Sequence, residues 1–324
     1  MRILRHFADV PTALKGAVVA IGNFDGVHLG HRALIQEAAV QARALGAPLA
    51  VLSFEPHPQE YFRPSPECFR LTPLRVKARL VAELGVDGLF ALPFDAEMAR
   101  RSPMDFVQEV LLDGLGVKGV VVGRDFEFGK GRAGNLTTLS YAGAMEGFSV
   151  TPFDTVLTTA GGEKISSTRI RTLLKEAKPE EATQLLGRWW AIEARVEHGD
   201  ARGRQMGFPT ANMHLSHCLA PAFGVYAVMV SIMDNAKEFE HAVVARHAGV
   251  ANFGIRPMYR TQVPLLETHL FDFDGDLYGQ YLSVELVRWL RPEAKFPDLD
   301  ALIAQIGADA AQARAILAEI PEPG

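Results

Sequence analysis

The strongest constraint on the fold is a change of hydrophobic rhythm near residue 185. Before it, short runs that are apolar at nearly every position alternate with amphipathic stretches. Ala17–Ile21 precedes the helical pattern of Arg32–Leu45, Leu49–Phe54 precedes Leu74–Leu84, and Val86–Leu92 precedes Pro103–Leu112. Val117–Val122 is a fourth run, and Ser102 and Pro103 read as the N-cap and first turn of the helix before it. Strands apolar on successive positions are buried on both faces, and intervening helices supply the cover. The first half therefore reads as α/β with a parallel sheet, and its ligands belong at the carboxyl ends of the strands.

After a polar helical stretch, Lys175–Leu186, the period falls to two. Ala191–Glu197, Gly224–Ile232, Glu240–Arg246, Leu265–Phe273 and Tyr281–Leu290 read as strands separated by Gly, Asp and Asn turns. Such strands following one another in so short a stretch predict a small closed or nearly closed antiparallel β-barrel. Leu299–Ile306 and Ala308–Ile320 then read as two terminal helices. A chain of 324 residues is long enough for two domains, at about 150 residues each. The change of rhythm divides it into residues 1–185 and 186–324.

Composition removes several classes of function. Lys and Arg number 33 against 38 Asp and Glu, a net charge of −5. A general nucleic-acid binder carries a basic excess to neutralise phosphates, so no nucleic-acid partner is expected. Any anion has to be held by a local site. Cys68 and Cys218 lie far apart and form no CxxC pair, which argues against a disulfide framework or zinc knuckle and suits a reducing cytoplasm. No apolar run approaches the roughly 18–20 residues of a membrane span, and no signal peptide is evident at the start. The expectation is a cytoplasmic protein with no membrane partner.

Four polar segments interrupt the first half at places where chemistry is expected. Gly22-Asn23-Phe24-Asp25-Gly26-Val27-His28-Leu29-Gly30-His31 lies where the first run hands over to the first helix. Glycines let a backbone approach a ligand, and the free amides of a helix start attract anions. His28 and His31 are three apart, on one face of the first turn, where two imidazoles can stabilise charge developing on a phosphate. A capped helix with surface histidines, or two ligands of a metal site, would leave the same pattern. Ile165-Ser166-Ser167-Thr168-Arg169-Ile170-Arg171 combines hydroxyls, free amides and Arg169 into a polyphosphate cradle, or a simple N-cap. Gly123–Arg132 and Ser53-Phe54-Glu55-Pro56-His57-Pro58 complete the set, and the four together read as a nucleotide site. Neither a Walker GxxxxGK[ST] nor a GxGxxG fingerprint is present.

These segments resemble a known family. GNFDGVHLGH with the later ISSTRIR is similar to the HxGH-type nucleotidyltransferases, in which a nucleoside triphosphate is attacked at its α-phosphate and pyrophosphate leaves. SFEPHP and GRDFEFGKGRAGN extend the likeness to the FAD synthetase module of the prokaryotic bifunctional riboflavin kinase/FAD synthetase family. The resemblance implies a Rossmann-like nucleotidyltransferase domain. It implies phosphate contacts from Gly22, Asn23, Phe24, Asp25, Gly26, Ser166, Ser167 and Arg169, with His28 and His31 catalytic. Flavin contacts would come from Phe54, His57, Pro58, Phe62, Asp125, Phe126 and Phe128. Phe62 and Phe126 are the stacking candidates, although core packing would explain either.

The second half carries its own signals. Gly199, Gly203 and Gly207 recur every four residues before Phe208-Pro209-Thr210-Ala211-Asn212, as in a flexible flap running into a rigid turn, or a plain hairpin loop. Thr210 and Asn212 offer oxygen ligands suited to a hard ion such as Mg²⁺. HGDARGRQMGFPTAN, Gly249–Gly254 with Arg256-Pro257, and Leu266–Gly279 resemble successive blocks of the riboflavin kinase module. On that pattern Glu267 is the catalytic base, and Thr210 and Asn212 hold Mg²⁺ and the phosphates; a solvated strand carboxylate is the plain alternative. Asp272, Asp274 and Asp276 alternate like calcium-loop ligands but lack the EF-hand glutamate, so Asp274-Gly275 reads as a hairpin turn. Ile255, Met258, Asn135 and Pro292 depart from the family pattern.

The resemblance thus implies two reactions on one chain: riboflavin and ATP give FMN in the barrel, and FMN and a second ATP give FAD in the first half. An adenylyltransferase with an inactive, flavin-binding barrel is a rival reading, and an RNA-binding or regulatory protein on a synthetase-like fold is another. The acidic balance and the absence of a basic stripe interleaved with aromatics count against the RNA reading.

Overall fold

The computed structural model describes residues 1–65, 67–154, 156–158, 162–198, 207–215, 218–234, 242–255 and 264–321. They form two compact units: Met1–Pro66 with Leu74–Ser166, and Glu67–Pro73 with Ser167–Gly324.

The first unit is built on six parallel strands: β1 (Arg2–Leu4), β2 (Val18–Ile21), β3 (Leu49–Glu55), β4 (Gly88–Pro93), β5 (Gly119–Gly123) and β6 (Ser149–Phe153). Their order is β1-β4-β3-β2-β5-β6. The chain winds outward from β2 through β3 and β4, then returns to place β5 on the other side of β2. That reversal is the topological switch point at which open α/β sheets bind ligands. Val18, Val19, Ala20 and Ile21 are all buried, as a doubly covered strand requires. The rhythm of the sequence shows β2 to β5 but not the edges. β1 has only three residues, and β6 (Ser-Val-Thr-Pro-Phe) is a partly exposed edge where Pro152 is tolerated.

Helices α1 (Leu29–Ala44), α2 (Pro58–Phe62), α3 (Leu74–Ala82), α4 (Ala96–Arg100), α5 (Pro103–Asp105) and α6 (Leu136–Glu146) join the strands. Ser102 caps α5 in a capping box with Asp105. Beyond it the expected α-helix winds as a π-helix over Phe106–Leu115. The buried residues there are Phe106, Val107, Val110, Leu111, Gly114 and Leu115, pairs that recur every four positions. A four-residue repeat falls between the α and π periods, so the wider winding still keeps these pairs on the core side over this short segment.

The second unit contains α7 (Ser167–Lys175), α8 (Pro179–Leu186), six antiparallel strands and a long terminal helix. The strands are β7 (Trp190–Arg195), β8 (Ala211–His214), β9 (Gly224–Met233), β10 (Val243–Gly254), β11 (Leu265–Leu270) and β12 (Tyr281–Arg291). Their order is β7-β12-β9-β10-β11-β8, and a bridge between Glu197 and Asn212 draws the two edges together into a nearly closed barrel.

Three details differ from the sequence reading. The strand expected over Glu240–Arg246, whose first two positions lie outside the described residues, is described from Val243 and runs on to Gly254, with Gly249 inside it. A Cβ on Gly249 would lie 2.6 Å from the His269 carbonyl, so glycine marks a close approach of β11, not a strand end. Asp274-Gly275 forms no hairpin turn, because β11 and β12 are not neighbours; β11 pairs with β10 and β8. The two expected terminal helices are one, α9 (Leu299–Glu319), passing through Gly307. Mid-helix glycine costs about 1 kcal/mol. Two residues on, the Arg291 guanidinium grips the buried Asp309 carboxylate through Nε and Nη2, at 2.9 and 2.6 Å. Val225, Ala227, Val250, Phe271 and Ala313 form the apolar seam beneath α9.

Candidate active sites

In the first unit the segment after β2 is wound tightly. Phe24, Gly26 and Val27 all have left-handed backbone, with φ of 49°, 87° and 40°. For a β-branched residue this is a genuine strain, on the order of 1–3 kcal/mol, and it persists only where surroundings over-determine it. Here Phe24 and Val27 are at most 1% exposed, and Asp25 is 3% exposed. The Phe24 ring folds over Gly22, and the Ser53 hydroxyl donates to the Asn23 carbonyl at 3.0 Å. Lys77, buried beside it, donates in turn to Ser53 Oγ at 3.2 Å. Lys77 carries no signal in the sequence beyond its place in a helix.

That winding delivers His28 to the N-cap of α1. Its Nδ1 accepts the backbone N–H of His31 at 3.2 Å. A neutral His28 therefore carries its proton on Nε2. The two imidazoles stack, with centroids 3.6 Å apart and planes 13° from parallel, and the Phe24 edge meets the His31 ring at 5.2 Å. Gly30 makes the stack possible: a Cβ there would sit 3.2 Å from the His28 ring. The HxGH spacing thus encodes a cap, a stack and the space for both.

The aromatic candidates form one array. Phe62 meets Phe94 at 5.6 Å, Phe94 meets Phe54 at 5.5 Å, and Phe54 meets Phe106 at 6.4 Å. Phe106 then meets Phe128 at 5.6 Å, and Phe128 stacks on Phe126 at 5.4 Å. Phe62 is 63% exposed, whereas Phe128 belongs to the core. The sequence reading missed Phe94 and Phe106, the links of the array, because both sit in ordinary apolar runs. His57 caps α2: its Nδ1 accepts Gln59 N–H at 3.1 Å, with Pro58 in the first turn. Asp125 accepts from Lys164 Nζ at 2.7 Å, and that hydrogen bond holds its carboxyl below the usual carboxylate range. Asn135 accepts Thr138 N–H at 3.1 Å as the N-cap of α6, a task at which Asn equals Asp.

In the second unit Ser167 opens α7, whose buried face is Ile170, Leu173 and Leu174. Arg169 lies 3.9 Å from Glu181, and Arg171 donates to the Phe69 carbonyl at 2.7 Å while its guanidinium covers the Phe69 ring. Ser166, half-buried, ends the first unit.

The barrel places Glu267 at the centre of a row. In adjacent strands Asn252, Glu267 and Asn212 are direct partners, so their side chains share one face. That face is the outer one, because Leu266, Thr268 and Leu270 fill the interior. Asn212 is 7% exposed; its Nδ2 donates to the Thr210 carbonyl at 3.3 Å, while among the described residues its buried Oδ1 has no hydrogen-bond partner. A buried acceptor without a donor is costly, on the order of 1–3 kcal/mol. An amide oxygen of this kind beside a half-buried hydroxyl and a carboxylate fits a hard cation such as Mg²⁺. Among the described residues no group of three or more His, Cys, Asp or Glu is placed to hold a metal ion. A cation here would need its remaining ligands from phosphates and water, as Mg²⁺ commonly does.

Gly207, with φ of 81°, is described, whereas Gly199 and Gly203 lie outside the described residues, as do Arg256, Pro257 and Met258. Ile255 is at the surface.

Comparison with known proteins matches the two halves separately. The FAD synthetase family model matches residues 10–169, and the riboflavin kinase model matches residues 186–317. A bifunctional riboflavin kinase/FMN adenylyltransferase of Escherichia coli is 41% identical over 315 residues, covering 97% of each chain. This chain belongs to that family. The bifunctional riboflavin kinase/FMN adenylyltransferase of Pseudomonas fluorescens is 40% identical, with 98% of each chain covered. Among solved structures, a Streptococcus pneumoniae protein described as a macrolide-efflux protein superposes with a TM-score of 0.81. It is 29% identical, covering 96% of this chain and 98% of its own. Among the described residues, no helix is long and apolar enough to cross a membrane.

Proposed function

We propose that the chain makes FAD from riboflavin in two steps, with residues 186–324 phosphorylating riboflavin to FMN and residues 1–185 adenylylating FMN. The observation that carries this reading is that two polar constellations are built separately, the capped histidine stack on one unit and the Asn252-Glu267-Asn212 row on the other. Membership of a bifunctional family supports it. The substrates are riboflavin, FMN and ATP, the last used in both steps. Two free cysteines suit work in the cytoplasm.

In the kinase step Glu267 takes the proton from the ribityl 5′-hydroxyl as that oxygen attacks the γ-phosphorus of ATP and ADP leaves. Asn212 and Thr210 would hold Mg²⁺ and the phosphates through their side-chain oxygens. Bound Mg²⁺ supplies charge neutralisation on the transferred group. In the second step an FMN phosphate oxygen attacks the α-phosphorus of ATP and pyrophosphate departs. The Nε2–H of His28, with His31 stacked on it, donates to the α-phosphate as charge builds there. Asn23, Asp25 and the backbone of Gly22–Gly26 line the approach to the triphosphate. Ser166, Ser167 and Arg169 are assigned to the departing pyrophosphate, on motif resemblance alone. The exposed Phe62 and the Phe126 face offer stacking surfaces for the isoalloxazine ring.

Incubating the full chain with riboflavin, ATP and Mg²⁺, and separating the flavins by chromatography, tests the reading. FMN and FAD should both form. Unchanged riboflavin would overturn it, and FAD formed from supplied FMN but not from riboflavin would reduce it to the adenylyltransferase alone.

A further inference from the structure

The β8–β11 ladder pairs Leu265 with His214, Leu266 with Met213, Glu267 with Asn212 and Thr268 with Ala211, and then stops. It stops where Pro209 approaches, a residue with no N–H to donate to a ladder. Thr210 therefore lies just outside the ladder, two residues before Asn212's buried amide. A side chain reaches back to this turn. His269 stands two residues after Glu267 on the same strand, hence on the same face. Its Nδ1 lies 2.8 Å from the Pro209 carbonyl, and its ring meets Phe208 edge-on at 5.5 Å and Phe271 at 5.8 Å. A carbonyl oxygen only accepts, so the Nδ1 of His269 carries the proton.

We propose that His269 is a positioning residue of the kinase half, its Nδ1–H latching the Pro209 carbonyl so that Thr210 is presented beside Asn212 and opposite Glu267. One strand then carries both the base and the clamp on the phosphate-side turn. This rests on the kinase reading above, and it adds a residue that neither the flap glycines nor the FPTAN segment points to. The imidazole touches no reacting atom in this scheme; it acts through the turn.

The experiment separates the latch from general packing by replacing the imidazole with side chains that reproduce one nitrogen each. His269→Asn puts an amide N–H near the Nδ1 position, His269→Gln places it near Nε2, and His269→Ala removes it. Binding of ADP in the presence of Mg²⁺ is measured by calorimetry on the full-length chain, and amide hydrogen exchange is followed in the peptide containing residues 207–213. Losing one hydrogen bond should weaken Mg²⁺-dependent ADP binding about fivefold in the Ala and Gln variants and speed exchange in that peptide. The Asn variant should stay close to the parent in both. FAD formation from supplied FMN should be equal in all four proteins, and fluorescence-monitored unfolding through the three tryptophans of the second unit should show the barrel folded in each. Parent-like ADP binding and exchange in His269→Ala would overturn the latch, as would an Asn variant as impaired as Ala. A parent chain that makes FAD from FMN but neither binds ADP with Mg²⁺ at the barrel nor makes FMN would instead overturn the kinase reading itself.

Discussion

The Nδ1 of His28 accepts the backbone N–H of His31 while the two rings lie stacked 3.6 Å apart. One contact thus caps a helix and fixes a tautomer that carries its proton on Nε2. His28→Asn keeps a good N-cap but removes that donor, whereas His28→Ala removes both. Both variants should lose FAD formation from FMN by about 10²–10³-fold, the usual worth of one aimed donor. Only the alanine variant should also lose about 1 kcal/mol of stability, read from denaturant unfolding.

Gly30 holds open the space for the stack, with a Cβ at that position 3.2 Å from the His28 ring. Gly30→Ala should displace the imidazole by a few tenths of an ångström or more. A drop of about ten- to a hundred-fold in FAD formation is expected. FMN formation by the same preparation should be unchanged, and equal losses in both steps would contradict the assignment.

Glu267 stands between Asn252 and Asn212 in the barrel row. Glu267→Gln keeps the shape and removes the base. FMN formation should fall by about 10²–10⁴-fold, while conversion of added FMN to FAD continues at the parental rate.

The Asp125 carboxyl is held below the usual range by its hydrogen bond from Lys164. Its folded-state pKa lies below the unfolded value, so the pair contributes fully above about pH 4 and is lost as pH falls through the folded value. Asp125 thus stays ionised across the working range. Lys164→Met should raise its titration midpoint toward the ordinary aspartate value in a carboxyl NMR titration. No new inflection should appear in the pH profile of FAD formation above pH 5.5.

Asp309 is 3% exposed and held by Arg291 and by Gln305 Nε2 at 2.9 Å. Asp309→Ala strands a guanidinium under α9 and should cost the second unit about 3 kcal/mol. All three tryptophans, Trp189, Trp190 and Trp289, belong to that unit, so fluorescence-monitored unfolding reports on it specifically. FAD formation from FMN should persist.

Legibility in the sequence followed burial. β2 to β5 are apolar on both faces and announce themselves, whereas β1 and β6 are edges with half the signal. The π-helix left no mark of its own, because a four-residue repeat of buried pairs suits an ordinary α-helix about as well. Gly249 and Gly307 punctuate the sequence but not the structure. One marks a close approach of a neighbouring strand, and the other lies in a helix whose tertiary contacts begin at Asp309.

The sequence by itself determined the two-part division of rhythm, the doubly covered sheet, the barrel and the motif segments. Periodicity and local backbone chemistry are properties of neighbouring residues, so they survive without a fold. Only the tertiary structure decided that Asn252, Glu267 and Asn212 form one row, that His269 reaches Pro209 across sixty positions, and that Phe94 and Phe106 join the other aromatic rings. Register between strands sets such meetings, and register depends on how every strand buries its inner face at once.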